Sequence, residues 1–140
     1  MVTGGSVAVR NPDTFISWIE KYGAEKIILG ADVKDEKIAV GGWTETTQIE
    51  LMPFVLNYMS LGITKVICTD ISKDGMLQGP AIELYKKMIS QAPEMYLIAS
   101  GGVSSVNDID LLNEAGIAAV ITGKAIYEGK IKLNELKRFI

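Results

Sequence analysis

Five short apolar runs constrain what this chain can fold into more than any other feature. They lie at 1–5 (MVTGG), 26–32 (KIILGAD), 65–70 (KVICTD), 95–102 (MYLIASGG) and 118–124 (AAVITGK). Each is β-branched and apolar on successive positions, without alternation. That pattern suits a strand covered on both faces, as in a parallel sheet. Between the runs, apolar residues return at helical spacing: Phe15, Ile16 and Ile19; Met52, Val55, Leu56 and Met59; Ile82, Tyr85 and Ile89; Ile109, Leu112 and Ala115. Asn11 reads as an N-cap followed by Pro12 at the first helical position. Ser105 reads as a second N-cap, with Asp108 favouring the first turn. Gly23, Gly62 and Gly116 each stand just past a helix, where glycine takes the left-handed conformation at no Cβ cost. Leu133, Leu136 and Ile140 mark a final helix.

The chain therefore reads strand–helix five times over. One segment departs from the pattern. Asp35–Glu36 makes a turn, and KIAVGGW (37–43) reads as a short extension ahead of a helix at about 48–61, with no hairpin expected. Repeated βα units with right-handed crossovers build either an open doubly wound sheet or a (βα)₈ barrel. An internal repeat favours the barrel. Shifted by 118 residues, V-T-G-G-S-V-A lies on V-I-T-G-K-A-I, so that Gly5 meets Gly123 and Ser6 meets Lys124. The expectation is an incomplete TIM barrel over residues 1–140 that carries strands four to eight and lacks its first three βα units. Five units cannot close eight strands, so an open edge is expected, and open edges invite pairing with another chain.

Composition narrows the function classes. The net charge is −3 over 140 residues, which leaves no footprint for nucleic acid or an anionic membrane. No apolar run approaches the ~20 residues of a membrane-spanning helix, and a cytoplasmic chain without a targeting segment is expected. The single cysteine, Cys68, excludes an internal disulfide and reads as a small buried hydrophobe. Histidine is absent, so any general acid or base is a carboxylate, a lysine, a tyrosine or that one thiol.

Candidate chemistry gathers at the C-terminal ends of the runs, where barrel active sites are built. Asp32 ends the second run. Thr69 and Asp70 end the third, and the turn Lys73-Asp74-Gly75 follows them. Carboxylates near one mouth can divide acid and base work if their surroundings separate their pKa values. Alternatively, Asp70 caps a turn and Asp74 serves its own loop. The glycines in "SGGV" (Gly101, Gly102) and "TGKA" (Gly123) let backbone N–H groups approach an anion at a helix start. Gly5 and Ser6 would supply half of a second, symmetry-related anion site. Lys124 is either a cation of the first site or a solvated lysine. A substrate with a phosphate at each end is the natural inference.

Four stretches, "ADVKDEKIAVGGW", "CTDISKDGMLQGP", "ASGGVSSVNDI" and "VITGKAIYEGK", resemble the phosphoribosylformimino-aminoimidazole-carboxamide ribotide isomerase family of histidine biosynthesis, from one end of the chain to the other. The resemblance implies a (βα)₈ barrel with two phosphate sites, no cofactor and no metal, and an Amadori rearrangement of a bisphosphorylated aminoaldose. By resemblance Asp32 and Asp74 are the two candidates for the general acid, and Thr69 supports the reacting group. Trp43 covers or stacks on the aminoimidazole ring, or anchors its loop. Gly101, Gly102, Gly123 and Lys124 match one phosphate site, and Gly5 and Ser6 match part of the other. The family's strand-one aspartate has no counterpart in this chain, so the chain alone is expected to be inactive. Many members have Arg where Lys124 stands and Thr where Met76 stands. Two other readings compete: the sister cyclase of the same pathway, and a non-catalytic half-barrel that binds phosphates or self-associates through its open edge.

Overall fold

The computed structural model describes residues 1–139. Its elements run in chain order β1 (Val2–Gly4), α1 (Ser6–Arg10), α2 (Pro12–Tyr22), β2 (Ile27–Lys34), β3 (Lys37–Val40), β4 (Glu45–Glu50), α3 (Leu51–Ser60), β5 (Lys65–Asp70), α4 (Ile82–Gln91), β6 (Tyr96–Ser100), α5 (Val106–Glu114), β7 (Ala119–Ile121) and α6 (Lys124–Tyr127), with 3₁₀ turns at Ala24–Lys26 and Leu133–Phe139. All five expected strands form, and they lie side by side in parallel as β1-β2-β5-β6-β7. Helices cover one face of the sheet. This is the architecture of an incomplete (βα)₈ barrel.

The sheet sorts its side chains by the period of two. Leu29, Ala31 and Val33 of β2, Val66 and Cys68 of β5, and Leu97 and Ala99 of β6 point to the helices and are buried. They form one core with Phe15, Val55, Tyr58, Tyr85, Met88, Ile109 and Leu112 of the covering helices. Phe15 lies tightly on Gly4: a Cβ added there would come within 2.5 Å of its ring. The ring also meets Tyr58 edge-on at 5.1 Å. Helix ends follow the expected chemistry in most places. Ser105 and Asp108 form a reciprocal capping box. Gly23, Gly62 and Gly116 have φ of +89°, +97° and +79°. Pro12 opens α2, but the Asn11 side chain makes no capping bond. Its backbone serves instead, with the Asn11 N–H bonded to the Val7 carbonyl and the Asn11 carbonyl to the Phe15 N–H.

Two segments differ from the sequence expectation. The stretch after β2 is a hairpin pair. β2 continues past the sheet, turns through Asp35–Glu36 and pairs antiparallel with β3, which pairs antiparallel with β4. Both turn residues have positive φ, 51° and 60°, the geometry of a two-residue type I′ turn. That turn normally announces itself with Asn-Gly or Asp-Gly, and Asp-Glu carries no such signal. The helix expected from about 48 starts at Leu51. The final helix is a 3₁₀ stretch over Leu133–Phe139, and Ile140 lies outside the described residues.

Candidate active site

The C-terminal ends of the strands build a row. Register pairs Asp32 with Thr69, Thr69 with Ser100, and Ser100 with Ile121. Partners in a parallel ladder share a face, so these four residues line the rim of the face away from the helices. Asp70 pairs with Val33 and belongs to the opposite face. Its carboxylate accepts the Ser72 N–H at 3.0 Å and the Ser72 hydroxyl at 2.7 Å. Asp70 thus makes the turn after β5, and it is Asp74 that reaches the rim.

At one end of the row lies a cleft of about 360 Å³, lined by Asp74, Gly75, Leu77, Ser100, Gly101, Gly102, Val103, Ile121, Thr122, Gly123 and Lys124. Its walls require glycine. Gly101 and Gly102 have φ of +91° and +81°. A Cβ on Gly101 would meet the Asp70 carbonyl and the Asp74 Cβ, both at 3.3 Å, and one on Gly102 would land on the Gly79 carbonyl. The Gly79 N–H donates to the Gly102 carbonyl at 3.0 Å, which laces the loop after β5 to the loop after β6. Lys124 ties in the third loop: its ammonium donates to the Gly75 carbonyl at 2.8 Å and lies 3.8 Å from Glu128. The cleft also holds Ser100 and Thr122, to which no sequence motif gives a role. Thr122 Oγ1 is buried with no hydrogen-bond partner among the described residues. The only sign of it is its place before Gly123 at a strand end.

The other end of the row is occupied by the chain's own hairpin. Trp43 Nε1 donates to Asp32 Oδ2 at 2.8 Å. The tip that presents it is unusual, with Gly41, Gly42 and Trp43 all in the left-handed region at φ of 64°, 65° and 72°. Trp43 is therefore held where a bulky residue is rarely found, and the residue is 44% exposed. Ser6 Oγ accepts the Gly41 N–H at 3.2 Å, and Arg10 pairs with Glu45 at 3.0 Å. Gly5 packs against Gly30, where an added Cβ would sit 3.2 Å from the Gly5 Cα. Thr69 lies between the two ends and is 6% exposed. The sequence candidates thus fall into two groups, Asp74 with Gly101, Gly102, Gly123 and Lys124, and Asp32 with Trp43, Ser6 and Gly5.

The internal repeat is visible in the backbone. Gly5 and Gly123 each follow a three-residue strand and precede a short helix. Their backbone angles match closely, φ −108° with ψ −87° and φ −130° with ψ −76°.

Two titratable groups enclosed behind the rim hold their protons. Burial, then the charges of Asp70 and Asp32, pushes the Cys68 thiol well up from its ordinary 9.0. A thiol kept neutral and enclosed is no nucleophile. Burial likewise raises Tyr85 from 10.0. Among the described residues no group of three or more His, Cys, Asp or Glu side chains is placed to hold a metal ion, and no helix is long and apolar enough to cross a membrane.

Comparison with known proteins adds a family. The histidine biosynthesis protein family matches residues 1–132. A Parabacteroides distasonis protein is 67% identical over 139 residues, which make up 99% of this chain and 58% of that relative. A Bacteroides fragilis protein is 62% identical over 140 residues, 100% of this chain and 59% of the relative. One from Flavobacterium johnsoniae is 55% identical over 139 residues, 99% and 58% respectively. All three carry the name 1-(5-phosphoribosyl)-5-((5-phosphoribosylamino)methylideneamino) imidazole-4-carboxamide isomerase. The chain spans less than two thirds of the length of these relatives.

Proposed function

Since this chain belongs to the histidine biosynthesis protein family, we propose that it is the C-terminal part of an isomerase that performs an aldose–ketose rearrangement on a bisphosphorylated aminoimidazole carboxamide ribotide. The observation that carries the reading is the row Asp32–Thr69–Ser100 at the strand ends, with a glycine-walled cleft holding Asp74 at one side of it. An aldosamine of this kind needs an acid for its ring oxygen and a base for its C2 proton, and two carboxylates suffice. Protonation of the ring oxygen opens the ribose to an iminium; loss of the C2 proton gives an enolamine; protonation at C1 with loss of the C2 hydroxyl proton yields the ketose.

Asp32 and Asp74 are the candidates for the acid, and Thr69 supports the reacting carbons. Gly101, Gly102, Gly123 and Lys124 take one phosphate, and Gly5 and Ser6 take part of the other. Gly5 follows β1 and Gly123 follows β7, four strand intervals apart. At about 4.8 Å per interval that is roughly 19 Å along the curved sheet, which suits a ligand with a phosphate at each end. Anchoring both ends holds the middle of the substrate over the row, worth up to several kcal/mol of avoided entropy. Trp43 then leaves Asp32 and covers the imidazole.

On this reading residues 1–140 lack the first three βα units of the barrel, and the missing strands pair with β1 and β7. Val2 and Ile121, on those outer strands, are 57% and 46% exposed. Until they are covered, these edges favour self-association. A cytoplasmic location goes with small-molecule biosynthesis.

The test is turnover. The chain by itself should not convert the isomerase substrate. Combined with the upstream part of the Parabacteroides distasonis relative, it should. In the combined protein Asp74→Asn or Asp32→Asn should lower kcat by about 10²–10⁴-fold. Clear turnover by the chain alone, or full rate in both variants, contradicts the proposal.

A further inference from the structure

The glycine-walled cleft has a back wall, and one buried side chain reaches it from behind. Tyr85 stands on α4 and is fully enclosed. Its hydroxyl donates to the Ser100 carbonyl at 2.8 Å and lies 3.3 Å from the Cys68 carbonyl. Those residues belong to β6 and β5, immediately before Gly101 and Thr69. The sheet makes room for the ring, because the helix-facing residues at this height, Cys68 and Ala99, are small.

The peptide that Tyr85 grips has a second edge. A trans peptide is planar, with its C=O and N–H on opposite sides. The unit whose carbonyl faces Tyr85 is the one that carries the Gly101 N–H. Holding the Ser100 oxygen toward α4 therefore aims the Gly101 N–H away from α4, to the side where Gly101 lines the cleft. A glycine at φ +91° has little of its own to fix that plane. We propose that Tyr85 is a positioning residue for the anion end of the cleft, and that its hydroxyl sets the orientation of the Ser100–Gly101 peptide and so of the Gly101 donor. This deepens the phosphate-binding reading above and rests on it. Burial keeps the phenol protonated, so the donor is present across the physiological range.

The test titrates inorganic phosphate into the full chain and follows the amide resonances of Gly101 and Gly123 by NMR. Wild type should show saturable shifts at both. Tyr85→Phe, which keeps the ring, should lose the Gly101 response and bind phosphate about tenfold more weakly, while Gly123 still responds. The matched control is Tyr58→Phe, which removes a buried hydroxyl of the same kind, bonded to the Ala8 carbonyl at 2.7 Å. It should leave the Gly101 response unchanged, which a general loss of stability would not. A Tyr85→Phe titration identical to wild type overturns the inference and leaves the phosphate reading standing. No shift at either glycine in wild type overturns both. Should Tyr85→Phe fail to fold, the wild-type hydroxyl proton decides. Slow exchange together with a phosphate-dependent shift supports the role, and rapid exchange with no response to phosphate contradicts it.

Discussion

The two ends of the rim solve opposite problems with the same βα unit. At the β6–β7 end, two loops are laced by their backbones, a third is tied in by a side chain, and the three leave a cleft. Gly102 packs on the Gly79 carbonyl as no side chain could, Gly101 and Gly79 take positive φ, and Lys124 ties the third loop to Gly75. At the β1–β2 end the same place is filled. The β3–β4 hairpin lays its tip over α1, and its groups bond the polar side chains there: Trp43 to Asp32, the Gly41 N–H to Ser6. One end is shaped by packing that cannot shift without cost. The other is held by exposed hydrogen bonds and an ion pair between half-exposed side chains, of the kind worth ~1 kcal/mol or less. The first end is thus a platform fixed by backbone packing, and the second is covered by a hairpin whose side-chain bonds are each weak.

Substitutions should separate the two ends by size of effect. Gly102→Ala attacks the platform. Its methyl meets the backbone oxygen of Gly79 at a residue of positive φ, and relief requires a loop to move. A loss of at least about 2 kcal/mol in urea unfolding is expected, together with loss of phosphate response at Gly101. Alkaline pH reaches the platform from behind. Cys68 and Tyr85 keep their protons when folded, while the unfolded chain releases them above about pH 9 and 10, their ordinary values. The unfolded state then binds fewer protons, so stability falls as pH rises. The slope is about 1.4 kcal/mol per pH unit for each group past its ordinary value. A urea midpoint flat from pH 9 to 11 would contradict the burial of both. Trp43→Phe acts on the cover. It removes the bond to Asp32 and should cost only ~0.5–1.5 kcal/mol, but the Gly41 amide should exchange with solvent markedly faster. Ser6→Ala comes last, at a few tenths of a kcal/mol, with the same direction of change at Gly41.

The glycines of the platform and the Trp43 of the cover are legible in the sequence, and the hairpin that carries Trp43 is not. Gly101, Gly102 and Gly123 stand at strand ends in a repeating pattern, and glycine there has few purposes. The alternation of β2, β5 and β6 places Asp32 and Thr69 on one face and Asp70 on the other as soon as the strands align. The sequence quotes both aspartates of the β5 loop without saying which one turns the chain. Ser72 decides it, by bonding Asp70. The β2–β3 pairing escapes because its turn, Asp35–Glu36, adopts a left-handed pair of residues without a glycine. The strand that completes the β3–β4 hairpin, Glu45–Glu50, is too polar to stand out. The polar face of that strand is a consequence of its place beyond the barrel, where neither side is packed against helices. In the sequence Tyr85 is one more apolar position at helical spacing. Its period was right, but nothing in a period reports that a hydroxyl lies at the end of the ring.

The central claim is that one bisphosphate spans the rim, fixed at the glycine platform and covered by the hairpin. It is tested most directly by a crystal structure of the chain completed with its upstream strands, with the bisphosphate ligand bound. The account predicts one phosphate on the Gly101 and Gly123 amides, the other near Gly5 and Ser6, the middle of the ligand between Asp32 and Asp74, and Trp43 released from Asp32. A ligand seated elsewhere, or one bound with the Trp43–Asp32 hydrogen bond still in place, would contradict it.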